Sequence, residues 1–141
     1  MLLRSDAEIA LDEALLAAAE AGRVYREAAF KCQSPIRPQL AEAANLRDRI
    51  AEELAEASRQ AGWLPRAPDP DAEAARAIGD EIQVAIAGEC EAPLEAERRK
   101  ADEDAVGKLR LLLAVDGLPA SVAEIASRLL GALEKSASIS L

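Results

Sequence analysis

Residues 5–32, SDAEIALDEALLAAAEAGRVYREAAFKC, decide the fold. Ser5-Asp6-Ala7-Glu8 fits a capping box, in which serine and glutamate each satisfy an orphan amide at a helix start. From there to about Lys31 only Gly22 weakens a helix. Leu11, Leu15, Ala18, Gly22, Tyr25, Ala29 and Cys32 recur at alternating spacings of four and three, the seam of a helix packed in a bundle. The small residues at 18, 22 and 29 let a neighbouring helix approach closely.

The same pattern returns downstream. Gln33-Ser34-Pro35 reads as a turn, with Ser34 as cap and Pro35 at the first helical position. Pro38 still falls in the first turn, where its missing amide costs little. The spacing predicts a helix over 35–61 with the seam Ile36, Leu40, Ala43, Arg47, Ile50, Leu54, Ala57 and Ala61, and Gly62 suits a left-handed stop. A short turn between two long helices makes them antiparallel neighbours. Trp63 to Pro70 holds three prolines and reads as a linker within one domain spanning 1–141. A shorter helix over 71–87 follows, with Ile78, Ile82, Ala85 and Ile86 on one face and Gly88 at its end. Helices over 89–115 and 120–135 complete the chain, separated by Asp116-Gly117-Leu118-Pro119. The last carries Val122, Ile125, Ala126, Leu129, Leu130 and Leu133, and Ser136 to Leu141 is expected to fray. No tandem repeat stands out. The fold class is all-α.

Composition agrees. The chain has 33 Ala and 19 Leu against one each of Trp, Tyr, Phe and Met, which favours helix over strand. Its 141 residues suffice for one domain with a proper core. Net charge is −9, and residues 69–104 hold 12 of the 26 acidic side chains against 4 basic ones. No basic footprint exists for nucleic acid or an anionic membrane, so neither is expected as a partner. The start Met1-Leu2-Leu3-Arg4-Ser5-Asp6 does not read as a signal peptide, and no apolar run approaches the length of a membrane span. A soluble, cytoplasmic protein is the expectation.

The chain contains no histidine. Ser/His/Asp and Cys/His catalysis and histidine phosphorelay are therefore excluded, and no phosphate-binding glycine loop is present. Paired carboxylates such as Glu52-Glu53, or Glu103, read as surface charge on helices rather than as acid–base machinery. No cofactor is implied.

Several segments, in order, resemble a ferritin-like, rubrerythrin-related family of bacterial four-helix-bundle proteins of unknown function. These are Ala21-Gly22-Arg23-Val24-Tyr25-Arg26-Glu27-Ala28-Ala29, Ser34-Pro35, Arg47-Asp48-Arg49-Ile50-Ala51-Glu52-Glu53-Leu54, Gly62, Asp102-Glu103-Asp104-Ala105 and Leu118-Pro119. The resemblance covers about residues 8–135. It implies an antiparallel four-helix bundle with the shorter fifth helix in a long crossover. Di-metal relatives draw a carboxylate from each of two helices and a Glu-x-x-His from each of the others. Here the resemblance places Ala18 at the first-helix carboxylate, Arg47-x-x-Ile50 at the second-helix motif and Glu124-x-x-Ser127 in the last helix. It therefore implies a bundle without a di-iron site.

Arg47 is the odd member of an apolar seam, while the helix over 89–115 is polar from Glu97 to Asp104. Two readings stand: Arg47 pairs inside the bundle with Asp102 or Glu103, or it snorkels to the surface. Cys32 and Cys90 fall near one end of such a bundle, either as a redox-sensitive pair or as two inert thiols. Leu109, Leu111, Leu112, Leu113 and Val115 point in too many directions for one stripe, so their far side meets either the crossover helix or a second copy of the chain. The expected function is non-catalytic: a protein-interaction or stress-related bundle, with a protein partner or homodimer. The alternatives are a carboxylate-only metal site in an oxidase or iron-handling protein, and a binder of apolar ligands in an internal cavity.

Overall fold

The computed structural model describes residues 5–31, 36–63 and 91–138. Four helices account for most of them: α1 (Asp6–Lys31), α2 (Arg37–Gln60), α3 (Glu91–Ala114) and α4 (Ala120–Ala137). No strand occurs among the described residues. The shorter helix expected over 71–87, the Gln33-Ser34-Pro35 turn, and both Cys32 and Cys90 lie outside them.

The helix ends follow local chemistry. At the start of α1 the Glu8 amide donates to Ser5 Oγ at 3.2 Å and the Ser5 amide to Glu8 Oε1 at 3.5 Å, the reciprocal capping box. α2 begins at Arg37 rather than at residue 35, with Ile36 as an N-cap that offers no side-chain hydrogen bond and Pro38 in the first turn. Its far end is a Schellman closure: Gly62 adopts φ +82°, its amide bonds the Arg59 carbonyl at 3.0 Å, and the Trp63 amide bonds Ser58 at 2.8 Å. Only glycine enters that left-handed region without penalty. α4 extends two residues beyond its expected end, so Ser136 is helical rather than frayed.

α1 packs against α2 and α3, and α4 packs against the same two. Lys108 pairs with Glu13, Tyr25 with Asp102, Arg26 with Asp48 and Arg128 with Glu53, so each helix runs antiparallel to both its neighbours. The order is up, down, down, up, and the chain enters α3 at the end where it entered α2. Because α1 has two neighbours, it buries two flanks. Ala14, Ala17, Ala21 and Ala28 are buried beside Leu11, Ala18 and Tyr25, while Leu15 of the expected seam is only partly covered. The α2 seam is buried from Leu40 through Ala57, Arg47 included.

Two apolar clusters result. The larger joins all four helices around Leu11, Ile50, Leu54, Leu109, Leu112, Leu129 and Leu133. The smaller joins Tyr25, Ala28 and Ala29 to Leu40, Ala43 and Ala44 near the other end of α1 and α2. On α3, Leu109 and Leu112 are fully buried and Leu111 is 61% exposed.

Gly22 sets the close approach of α1 to α2. A β-carbon there would collide with the Asp48 carboxylate, which Arg26 also holds. Gly22→Ala is expected to destabilise the protein by about 1 kcal/mol, because overpacking outweighs alanine's better helix propensity. In an Asp48→Ala background the same change should stabilise by up to about 1 kcal/mol, since the collision is gone. Urea unfolding of the four proteins in the cycle measures the reversal of sign.

Candidate functional site

Between the two apolar clusters lies a polar layer to which every helix contributes one side chain. Arg47 of α2 is fully buried, with 0% of its surface exposed, and so does not snorkel. Its Nε donates to Asp102 Oδ1 and its Nη2 to Asp102 Oδ2, both at 2.8 Å, a bidentate charge-assisted pair with α3. Its Nη1 donates to the Ala43 carbonyl at 2.9 Å and to Ser136 Oγ of α4 at 3.0 Å. Tyr25 of α1 donates its hydroxyl to Asp102 Oδ2 at 2.5 Å. The Arg47 guanidinium also lies over the Tyr25 ring, 3.7 Å from its centroid, a cation–π contact.

Local structure places each group. Arg47 occupies a seam position between Ala43 and Ile50, so the helix delivers its side chain inward. The long stem carries the cation across the interface to α3. Tyr25 sits one turn from Gly22 and Ala29, whose small size leaves room for its ring. Asp102, not Glu103, takes the buried position on α3; Glu103 is exposed, at the mouth of the cleft beside it. Arg47 and Asp102 are thus brought together, and Glu103 is not.

The electrostatics close on themselves. Arg47 and Asp102 cancel in charge, and Asp102 accepts three hydrogen bonds across its two oxygens. Burial above all, and then the hydrogen bond to Asp102, push the Tyr25 phenol well above its ordinary value of 10.0. The network therefore offers neither a free carboxylate as base nor an easily ionised phenol. Its four contributions cross-link α1, α2, α3 and α4 near one end of the bundle.

The shifted phenol has a signed consequence. Below about pH 10 the phenol is neutral in both folded and unfolded chains and contributes no slope. Above that value the unfolded chain releases the proton first, so folded stability falls as pH rises. Between pH 10 and 11, stability should fall more steeply in the wild-type protein than in Tyr25→Phe, by up to about 1.4 kcal/mol per pH unit. Urea titrations at stepped pH provide the comparison, with lysine ionisation common to both proteins.

Sequence reasoning singled out Arg47 and Asp102 but missed two members. Tyr25 was visible only as a seam residue, although a tyrosine in a core seam needs a partner for its hydroxyl. Ser136 fell in a stretch expected to fray. Ala18 and Ile50 are buried within the apolar core, whereas Glu124 and Ser127 are exposed on α4. Among the described residues, no three His, Cys, Asp or Glu side chains converge on a point that could hold a metal ion. No described helix is long and apolar enough to cross a membrane. No protein-family model, curated protein or solved structure matches the chain.

Proposed function

We propose that the chain is a non-catalytic, ferritin-like helical bundle that lacks a di-iron site and acts through protein contacts, in an interaction or stress-related role. The single observation that carries this reading is Arg47. At the position where the resemblance places a metal-ligating motif, a cation is buried and fixed by four hydrogen bonds to Asp102, Ala43 and Ser136. A guanidinium there repels a metal cation, and its partner carboxylate has its oxygens occupied by Arg47 and Tyr25. The up-down-down-up order of the helices supports the ferritin-like part of the reading, since that order is the one a long crossover between the second and third bundle helices produces.

Metal analysis of protein purified without chelator tests it. Iron and manganese are expected well below one equivalent per chain, and added Fe(II) should leave the melting temperature unchanged. Stoichiometric metal that Arg47→Ala does not alter would overturn the proposal and favour a carboxylate-only oxidase or iron-handling protein.

A further inference from the structure

Beside the polar layer, α1, α3 and the end of α4 enclose a cleft of about 600 Å³ open to solvent. Its wall includes Tyr25, Arg98, Asp102, Val106, Gly107 and Ala137. That volume lies in the range of small-molecule sites.

Arg98 makes the cleft more than a gap. It is 6% exposed, yet among the described residues its guanidinium makes no hydrogen bond or ion pair. Its one close neighbour of note is the Tyr25 ring, 5.9 Å away at the centroid. Asp102 cannot neutralise it, because that charge is already matched by Arg47. The rim does not supply a counter-charge either. Glu95 is held by Arg99 at 3.2 Å and Arg110 by Glu134 at 3.3 Å, while Glu103, which also lines the cleft, is exposed to solvent and makes no ion pair with Arg98 among the described residues. The buried part of the site, Arg47, Asp102 and Arg98, therefore carries one surplus positive charge. The Arg98 guanidinium is mostly buried but not sealed off from the cleft, and its fork matches a carboxylate.

We propose that this cleft binds a small organic monocarboxylate, with the carboxylate on Arg98 and the apolar body against Val106, Gly107 and Ala137. One negative charge balances the surplus. A phosphate dianion overshoots it, beside Asp102, Glu103 and the negative C-terminal end of α4. The assignment does not depend on the ferritin-like reading, since it rests on Arg98 and the cleft alone.

Benzoate, with sodium phosphate as the contrasting probe, tests the proposal by amide NMR titration. Benzoate should saturably shift the amides of Arg98, Val106, Gly107 and Ala137, and phosphate should bind there more weakly. Arg98→Met should weaken benzoate binding by more than about tenfold, while Arg59→Gln, at an exposed arginine that does not line the cleft, keeps it within about twofold. Arg98→Lys, which retains the charge without the fork, should fall between them. Without ligand, Arg98→Met should melt close to the wild-type temperature, since no hydrogen bond or ion pair among the described residues is lost. The proposal is overturned if benzoate leaves those amides unmoved up to about 10 mM, or if Arg98→Met or Arg98→Lys binds as tightly as wild type. Tighter binding of phosphate than benzoate at the same amides overturns the monocarboxylate assignment.

Discussion

Asp102→Ala is expected to cost about 3–5 kcal/mol of folding stability, enough to unfold much of the population of a marginal domain. The change removes the acceptor of three hydrogen bonds and leaves Arg47 charged, fully buried and without its carboxylate. It also removes the acceptor of the Tyr25 hydroxyl. The cost exceeds what the pair contributes in the folded protein, because the unpaired cation cannot reach solvent from its place in the core. Exposed pairs offer the contrast. Arg59 and Glu56 lie 2.7 Å apart on the surface of α2, and breaking that solvent-screened pair should leave stability close to the wild-type value. Urea unfolding of Asp102→Ala and Glu56→Ala side by side measures both.

Leu54→Ala is expected to cost about 2–5 kcal/mol. Leu54 is fully buried in the cluster that joins all four helices. Many members of that cluster are alanines, such as Ala14, Ala18, Ala57 and Ala126, which have no rotamers with which to fill a void. The cavity can close only if whole helices move, and the bidentate Arg47–Asp102 pair opposes movement of α2 against α3. The effect should therefore lie in the upper half of that range. Leu111→Ala, at a position 61% exposed, should stay within about 0.5 kcal/mol of wild type. A thermal-melt comparison of the two leucine variants separates them.

The helices were legible because alanine and leucine dominate, and because Ser5, Glu8 and Gly62 mark ends with specific hydrogen-bond chemistry. Their exact faces were less so. In α1 an alanine-rich sequence satisfies several seams equally well, and only the presence of two neighbours buries Ala14, Ala17 and Ala21 along with Leu11. In α3 the charged run from Glu97 to Asp104 hides the inward face. Asp102 and Glu103 are adjacent residues about 100° apart on a helix, and composition cannot say which turns inward. Arg98, half-hidden in the same run, shows its burial only when α1 and α4 are in place. Ser136 was obscure for a different reason: chain ends usually fray, and here a buried guanidinium reaches the last turn of α4.

The polar layer also gives the bundle a register. An apolar seam alone tolerates sliding by a turn, whereas a bidentate pair with two further partners is satisfied in one alignment. One side chain from each helix meets there, so a slip of any helix breaks at least one of these hydrogen bonds.

The most direct test of the central claim is the coupling energy of the Arg47→Met and Asp102→Leu cycle, read from urea unfolding. If the two side chains form a buried pair at the meeting point of the helices, each single variant is strongly destabilised. The double variant then recovers most of the loss, giving a coupling above about 2 kcal/mol. Additive effects, with coupling below about 0.5 kcal/mol, would contradict the account and place Arg47 away from Asp102 in the folded protein.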